Sequence, residues 1–148
     1  MNQFAFILNV RFLVNLTLLT FSLGLFIHCS SSIQVISHKQ ESFVISKPAL
    51  KRSSHLTILH GGSTQQVSLD QIKKITINPK IKHFENNRLF YQAEVQFKKG
   101  DTTLAANSTK EKVLSFLCIN DNITGKTTHG KIDIDLNHIH IIKQVDKK

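Results

Sequence analysis

Residues 89–99 read LFYQAEVQFKK. Phe90, Gln92, Glu94 and Gln96 alternate with Tyr91, Ala93, Val95 and Phe97, so one row is apolar and the other mostly polar. Successive side chains of an extended chain point to opposite faces, and this alternation predicts a strand with one face in a core and one in water. KIDIDL at 131–136 alternates as cleanly, with Ile132, Ile134 and Leu136 inward and Asp133 and Asp135 outward. Further short runs rich in β-branched residues are expected as strands at Ser42–Ser46, His55–His60, Gln66–Leu69, Lys73–Asn78, Thr102–Ala106, Leu114–Asn120 and His138–Lys143. Gly61-Gly62, Gly100-Asp101 and Asp121-Asn122 punctuate them. Lys99-Gly100-Asp101 reads as a hairpin turn, and Asn78-Pro79 as a strand end, because proline has no N–H to give to a ladder. Asn107–Val113 offers at most one helical turn. The expected fold is all-β.

An internal echo sharpens that expectation. VSLDQIKKITI (67–77) and IDIDLNHIHII (132–142) both pass from a strand into leucine and isoleucine spaced by three: Leu69, Ile72, Ile75 and Leu136, Ile139, Ile142. A switch from period two to period three is expected where a strand enters a tight turn and a second strand returns to the same core. HLTILHGG precedes one copy and FLCINDNITG the other. Two related β units, each too small to enclose a core, are therefore expected to pack as one small barrel or sandwich. The second copy, GDTTLAAN followed by TGKTTHGKIDIDLNHIHII, resembles small β modules of bacterial envelope proteins. These share a strand, a Gly-Asp turn, a strand and the pattern G-x-I-x-I-x-L-x-x-I-x-x-I. The likeness implies a fold and leaves the ligand open.

The first 28 residues are of another kind. Arg11 is their only charge, and Phe12 to Ile27 (FLVNLTLLTFSLGLFI) carry none before Cys29 and three serines. A positive residue, an apolar run and a short polar exit are the layout of a secretory signal. Cys29 followed by Ser30, Ser31 and Ser32 resembles the signal of bacterial lipoproteins, most closely the spirochaete type. That resemblance implies a diacylglyceryl group on the Cys29 thiol, cleavage before it and acylation of the new N-terminus. Most lipoproteins carry leucine three residues before the cysteine and a small residue just before it, where this chain has Phe26 and His28. An uncleaved signal-anchor and a secreted protein with an incidental Cys29 are the alternatives; each places the domain outside the cytoplasm. The division expected is a signal segment at 1–28, a polar tether at 29–40 and a β domain at 41–148.

Beyond the leader, roughly 115 residues must fold alone, burying roughly two thirds of the surface of the unfolded chain. Of nineteen basic residues only Arg11 lies in the leader, so the domain stays strongly basic against ten acids. Anionic surfaces such as lipid headgroups attract such a domain. Its lysines (Lys47, Lys73, Lys82, Lys99, Lys126, Lys143) are scattered and not interleaved with aromatics, so a solvated basic surface is expected and no specific nucleic-acid contact.

No motif commits the chain to a reaction or a cofactor. His138 and His140, two apart on an expected strand, share a face as a chelating pair would, and His129 and Asp133 are near enough in sequence to complete a metal set. The same spacing suits a solvent-facing row beside Ile139 and Ile141. Asp133-x-Asp135 is expected on a wet strand face. His60-Gly61-Gly62 is expected as a turn, since no G-x-S-x-G accompanies it. Cys118, within VLSFLCIN, is expected as a buried, inert thiol. The function expected is a membrane-tethered, non-enzymatic module that binds an envelope protein or an anionic surface.

Overall fold

The computed structural model describes residues 31–98 and 112–145. The expected signal segment with Cys29, the expected hairpin turn at 99–101, the expected strand at 102–106 and all but the last two residues of the expected helical turn at 107–113 lie outside the described residues. Ten strands run in chain order: β1 (Ser32–Ser37), β2 (Ser42–Leu50), β3 (Leu56–His60), β4 (Ser63–Val67), β5 (Ile72–Glu85), β6 (Arg88–Phe97), β7 (Lys112–Cys118), β8 (Asn122–Thr127), β9 (Gly130–Asp135) and β10 (Ile139–Gln144). All pair antiparallel in one sheet, β4-β3-β7-β6-β5-β10-β1-β2-β8-β9, whose two edges, β4 and β9, do not pair with each other. The fold is all-β. Val67 on β4 and Leu136 just after β9 belong to one core cluster with residues of every strand between them, so the sheet curls around a single interior. Ile33, Ile45, Ile58, Ile72, Ile75, Ile77, Ile123, Ile139 and Ile142 are almost wholly buried there. Branched isoleucines suit that interior because they pack densely on a pleated surface with little rotamer freedom to lose.

The sheet order reads as two copies of one plan. β1 lies between β10 and β2 as β6 lies between β5 and β7; β8 lies between β2 and β9 as β3 lies between β7 and β4. The registers repeat as well. Val35 opposes Ile142 as Val95 opposes Ile75, and Ile33 opposes Ile45 as Ala93 opposes Ser115. At the centre Ile75 opposes Ile142, flanked by Thr76 with Ile141 and Lys74 with Lys143, so the two copies meet at a pseudo-twofold axis. The units β1–β5 and β6–β10 are thus related, and they interlock: β1 and β2 complete the half-sheet of β8, β9 and β10, while β6 and β7 complete that of β3, β4 and β5. The partner of HLTILHGG is accordingly β8 with its turn, whereas the FLC of FLCINDNITG ends β7.

The period-three spacing has two physical sources. Leu69–Gln71 and Leu136–His138 form single 3₁₀ turns, which put residues three apart on one side and lead Leu69 to Ile72 and Leu136 to Ile139. Ser68 begins one turn and Asp135 the other; Asp135 accepts a hydrogen bond from the Asn137 N–H. A β-bulge follows in each copy, with Lys73 and His140 as the extra residues, and carries the spacing on to Ile75 and Ile142.

Two expectations are corrected. Residues 29–40 are not a tether throughout: Ser32–Ser37 form β1, paired on both sides, with Ile33 and Val35 in the core. The short polar run disguised a strand that pairs with the next strand, β2, on one side and with the remote β10 on the other. Asn78-Pro79 does not end a strand either. β5 continues to Glu85, because a register shift between Asn78 and Lys82 places the proline in a bulge where no ladder donor is needed. Pro48 sits in the same way, in the register shift of β2 between Ser46 and Ala49.

Candidate functional site

The four candidate metal ligands do not converge. His138 lies in the second 3₁₀ turn rather than on a strand, exposed to solvent. His140, the bulged residue of β10, donates from Nδ1 to the Ile77 carbonyl at 3.1 Å. Asp133 is held by the Lys51 ammonium and the Asn122 amide, which keep its carboxyl below the usual range. His129 belongs to the β8–β9 turn. Among the described residues no three ligand-type side chains are placed to hold a metal ion. What the fold adds is His38, whose N–H donates to the His138 carbonyl and whose ring lies 5.6 Å from that of His140. Burial first, then the neighbouring His140 and His138 charges, lower the His38 pKa below 6.5. A lowered histidine pKa adds stability that is complete above 6.5 and is lost as pH falls through the lowered folded value. Chemical denaturation is expected to show a midpoint that drops on going from about pH 7.5 to about pH 5, with a smaller drop for His38→Gln.

His60-Gly61-Gly62 is the turn expected of it. Gly61 and Gly62 both have positive φ, as a two-residue hairpin loop between His60 and Ser63 demands. Two serine hydroxyls meet histidine rings: Ser54 Oγ lies 2.8 Å from Nδ1 of the adjacent His55, and Ser115 Oγ, brought from far along the chain, lies 3.0 Å from His60 Nδ1. Ser115 is 4% exposed, and among the described residues no carboxylate orients His60. This hydrogen bond satisfies a buried hydroxyl.

Cys118 is half-buried, not core, since Leu117 takes the inward position of β7. It borders a cavity of about 300 Å³ at the ends of the strands, lined also by Arg52, Arg88, His55 and Asp121 over a floor of Leu50, Leu56 and Leu136. Burial pushes the Asp121 carboxyl up, but donors from Ser53 Oγ and the backbone N–H groups of Asn122, Arg52 and Lys51 outweigh it and hold the group below its ordinary value. Its charge is therefore spent on fixing the β2–β3 connection to the start of β8, where Arg52 N–H and Ser53 Oγ both bond to it.

The duplication also creates two equivalent outer surfaces of opposite chemistry. In one half, Leu59 of β3 opposes Phe116 of β7. His83 stacks near Phe116 (5.5 Å) and Phe90 (6.4 Å), and Phe84 closes a groove of about 500 Å³ with Leu59, Gly61, Gly62 and Phe116. Phe84 is 69% and Leu114 63% exposed. In the other half the positions of Leu59 and Phe116 are taken by Lys126 and Ser46, and that of Thr64 by Lys131. Lys126, Lys131 and Lys47 line a shallow cavity of about 450 Å³ with Thr124, Gly125, Ile132 and Asp133. Of the lysines read as scattered, the β2–β8–β9 pairing thus brings Lys47 and Lys126 together, with Lys131 beside them. The apolar groove sits where β5 ends and the basic cavity beside the start of β1, at opposite ends of the strands.

No protein-family model, no curated protein and no solved structure matches this chain. Among the described residues no helix is long and apolar enough to cross a membrane.

Proposed function

We propose that the chain is a membrane-tethered lipoprotein whose β domain works as a non-enzymatic binding module, presenting its apolar groove to another component of the cell envelope. Phe84, 69% exposed on the groove it lines with Leu59 and Phe116, carries the reading, because a large apolar side chain left in water over an apolar groove marks a contact surface. The anchor rests on Cys29 and its serines behind the apolar stretch. With the sheet starting at Ser32, a lipid on Cys29 would hold the strand-start end at the bilayer and leave the apolar groove at the far end of the strands. Two or more acyl chains give stable anchoring where one does not.

The mass of the mature N-terminus from membranes tests the anchor. Wild type is expected to begin at an acylated Cys29, and Cys29→Ala to lose that species; an intact Met1 in wild-type membranes overturns the lipoprotein reading. For the groove, a photo-crosslinking residue at Phe84 is expected to yield a discrete adduct with an envelope protein in cells, and the same residue at Lys80 is not.

A further inference from the structure

We infer that Lys47, Lys126 and Lys131 form a docking surface for the anionic headgroups of the bilayer that holds the protein. The inference rests on the lipoprotein reading and gives the tethered domain a defined contact with its membrane. Lys47 donates its N–H to the Ser31 carbonyl at 3.1 Å. Ser46 opposes Lys126, and Lys126 opposes Lys131 across the β8–β9 hairpin. Only Ser30 separates Ser31 from Cys29, and two peptide units span at most about 7 Å. A lipid on Cys29 therefore holds these ammonium groups close to the headgroup layer.

The charges there are available. Lys47, Lys126 and Lys131 are exposed and have no ion pair among the described residues. The one acid lining the cavity, Asp133, is already engaged by Lys51 and Asn122. The equivalent surface of the other half carries Leu59, Thr64 and Phe116 in place of Lys126, Lys131 and Ser46, so the basic character belongs to the copy beside the N-terminus and is not imposed by the fold. A basic residue near an anionic membrane raises affinity about five-fold, an attraction that fades within a Debye length.

Full-length protein extracted from membranes and reconstituted into vesicles allows a direct test. A membrane-impermeant amine-acylating reagent is applied to phosphatidylglycerol-rich and to pure phosphatidylcholine vesicles, and modification is read lysine by lysine by mass spectrometry. Lys47, Lys126 and Lys131 are expected to react about five-fold more slowly on the anionic vesicles, with the difference abolished by high salt, while Lys80 and Lys82 of β5 react equally on both. Equal rates at the three lysines on both vesicles, or protection shared by Lys80 and Lys82, overturn the inference. The same digests report the N-terminal peptide. An acylated Cys29 with unprotected lysines sinks the docking surface alone; protected lysines on a chain that still begins at Met1 sink the lipid anchor alone.

Discussion

Ile142→Ala is expected to lower unfolding free energy by about 2–5 kcal/mol, the range found when a buried isoleucine is truncated and the cavity does not close. Ile142 is 2% exposed and opposes Ile75, which is 0% exposed, at the pseudo-twofold axis where the two interlocked units meet. Neighbours on both sides are themselves packed strands, β5 and β1, so little can move in to fill the space. Against a typical total of about 5–15 kcal/mol this is a large share. Urea denaturation followed by circular dichroism measures it. Ile75→Ala is expected to cost a similar amount by symmetry, and the double variant to depart from the sum because both truncations enlarge one cavity. Val44→Ala, at 52% exposure, serves as the control, with a change within about 0.5 kcal/mol.

Much of this interior was legible because alternation is a local signal. Tyr91, Ala93, Val95 and Phe97 all face the core, as their spacing requires, and the echo of Leu69, Ile72, Ile75 with Leu136, Ile139, Ile142 marked a true duplication. What stayed hidden depends on partners remote in sequence. Ile33 and Val35 alternate in plain view and β2 is the next strand along, but only the remote β10 on the other side makes that polar run a central strand. Pro48 and Pro79 look like stops until a bulge relieves them of a donor's duty. His140 looked like one of a strand pair until the bulge made it the odd residue out. The sites follow the same rule. Lys47 and Lys126 meet because a strand of the first unit is borrowed by the second, and Leu59 meets Phe116 by the reciprocal loan. No window of sequence contains either pair.

Gly125 offers the sharpest test of that exchange. Its φ is not of the left-handed kind, so any residue could adopt its backbone; the reason for glycine is space. A Cβ built there overlaps Ile45 Cγ2 and lies 3.0 Å from the Ser46 carbonyl oxygen and 3.3 Å from that of Lys47. Ile45 is fully buried and Ser46 is paired with Lys126 in the ladder, with Lys47 in the bulge beside it, so the crowding falls on packed atoms and cannot be relieved cheaply. Gly125→Ala is therefore expected to destabilise by about 1–3 kcal/mol, the usual penalty of overpacking, even though alanine is ordinarily tolerated better than glycine within a strand. In the other half the equivalent positions hold Ile58 and Ser115, the large and small side chains in reversed places. Ile45→Ser alone leaves a cavity and a buried hydroxyl, and is expected to destabilise strongly. Joined to Gly125→Ile it recreates the pairing of the first half. The double variant is expected to be more stable than the sum of its parts by about 1 kcal/mol or more. Strict additivity in the denaturation midpoints would mean that Ile45 and Gly125 do not share one space. The interlocking of β2 with β8 would then fail, and with it the gathering of Lys47, Lys126 and Lys131 on one surface.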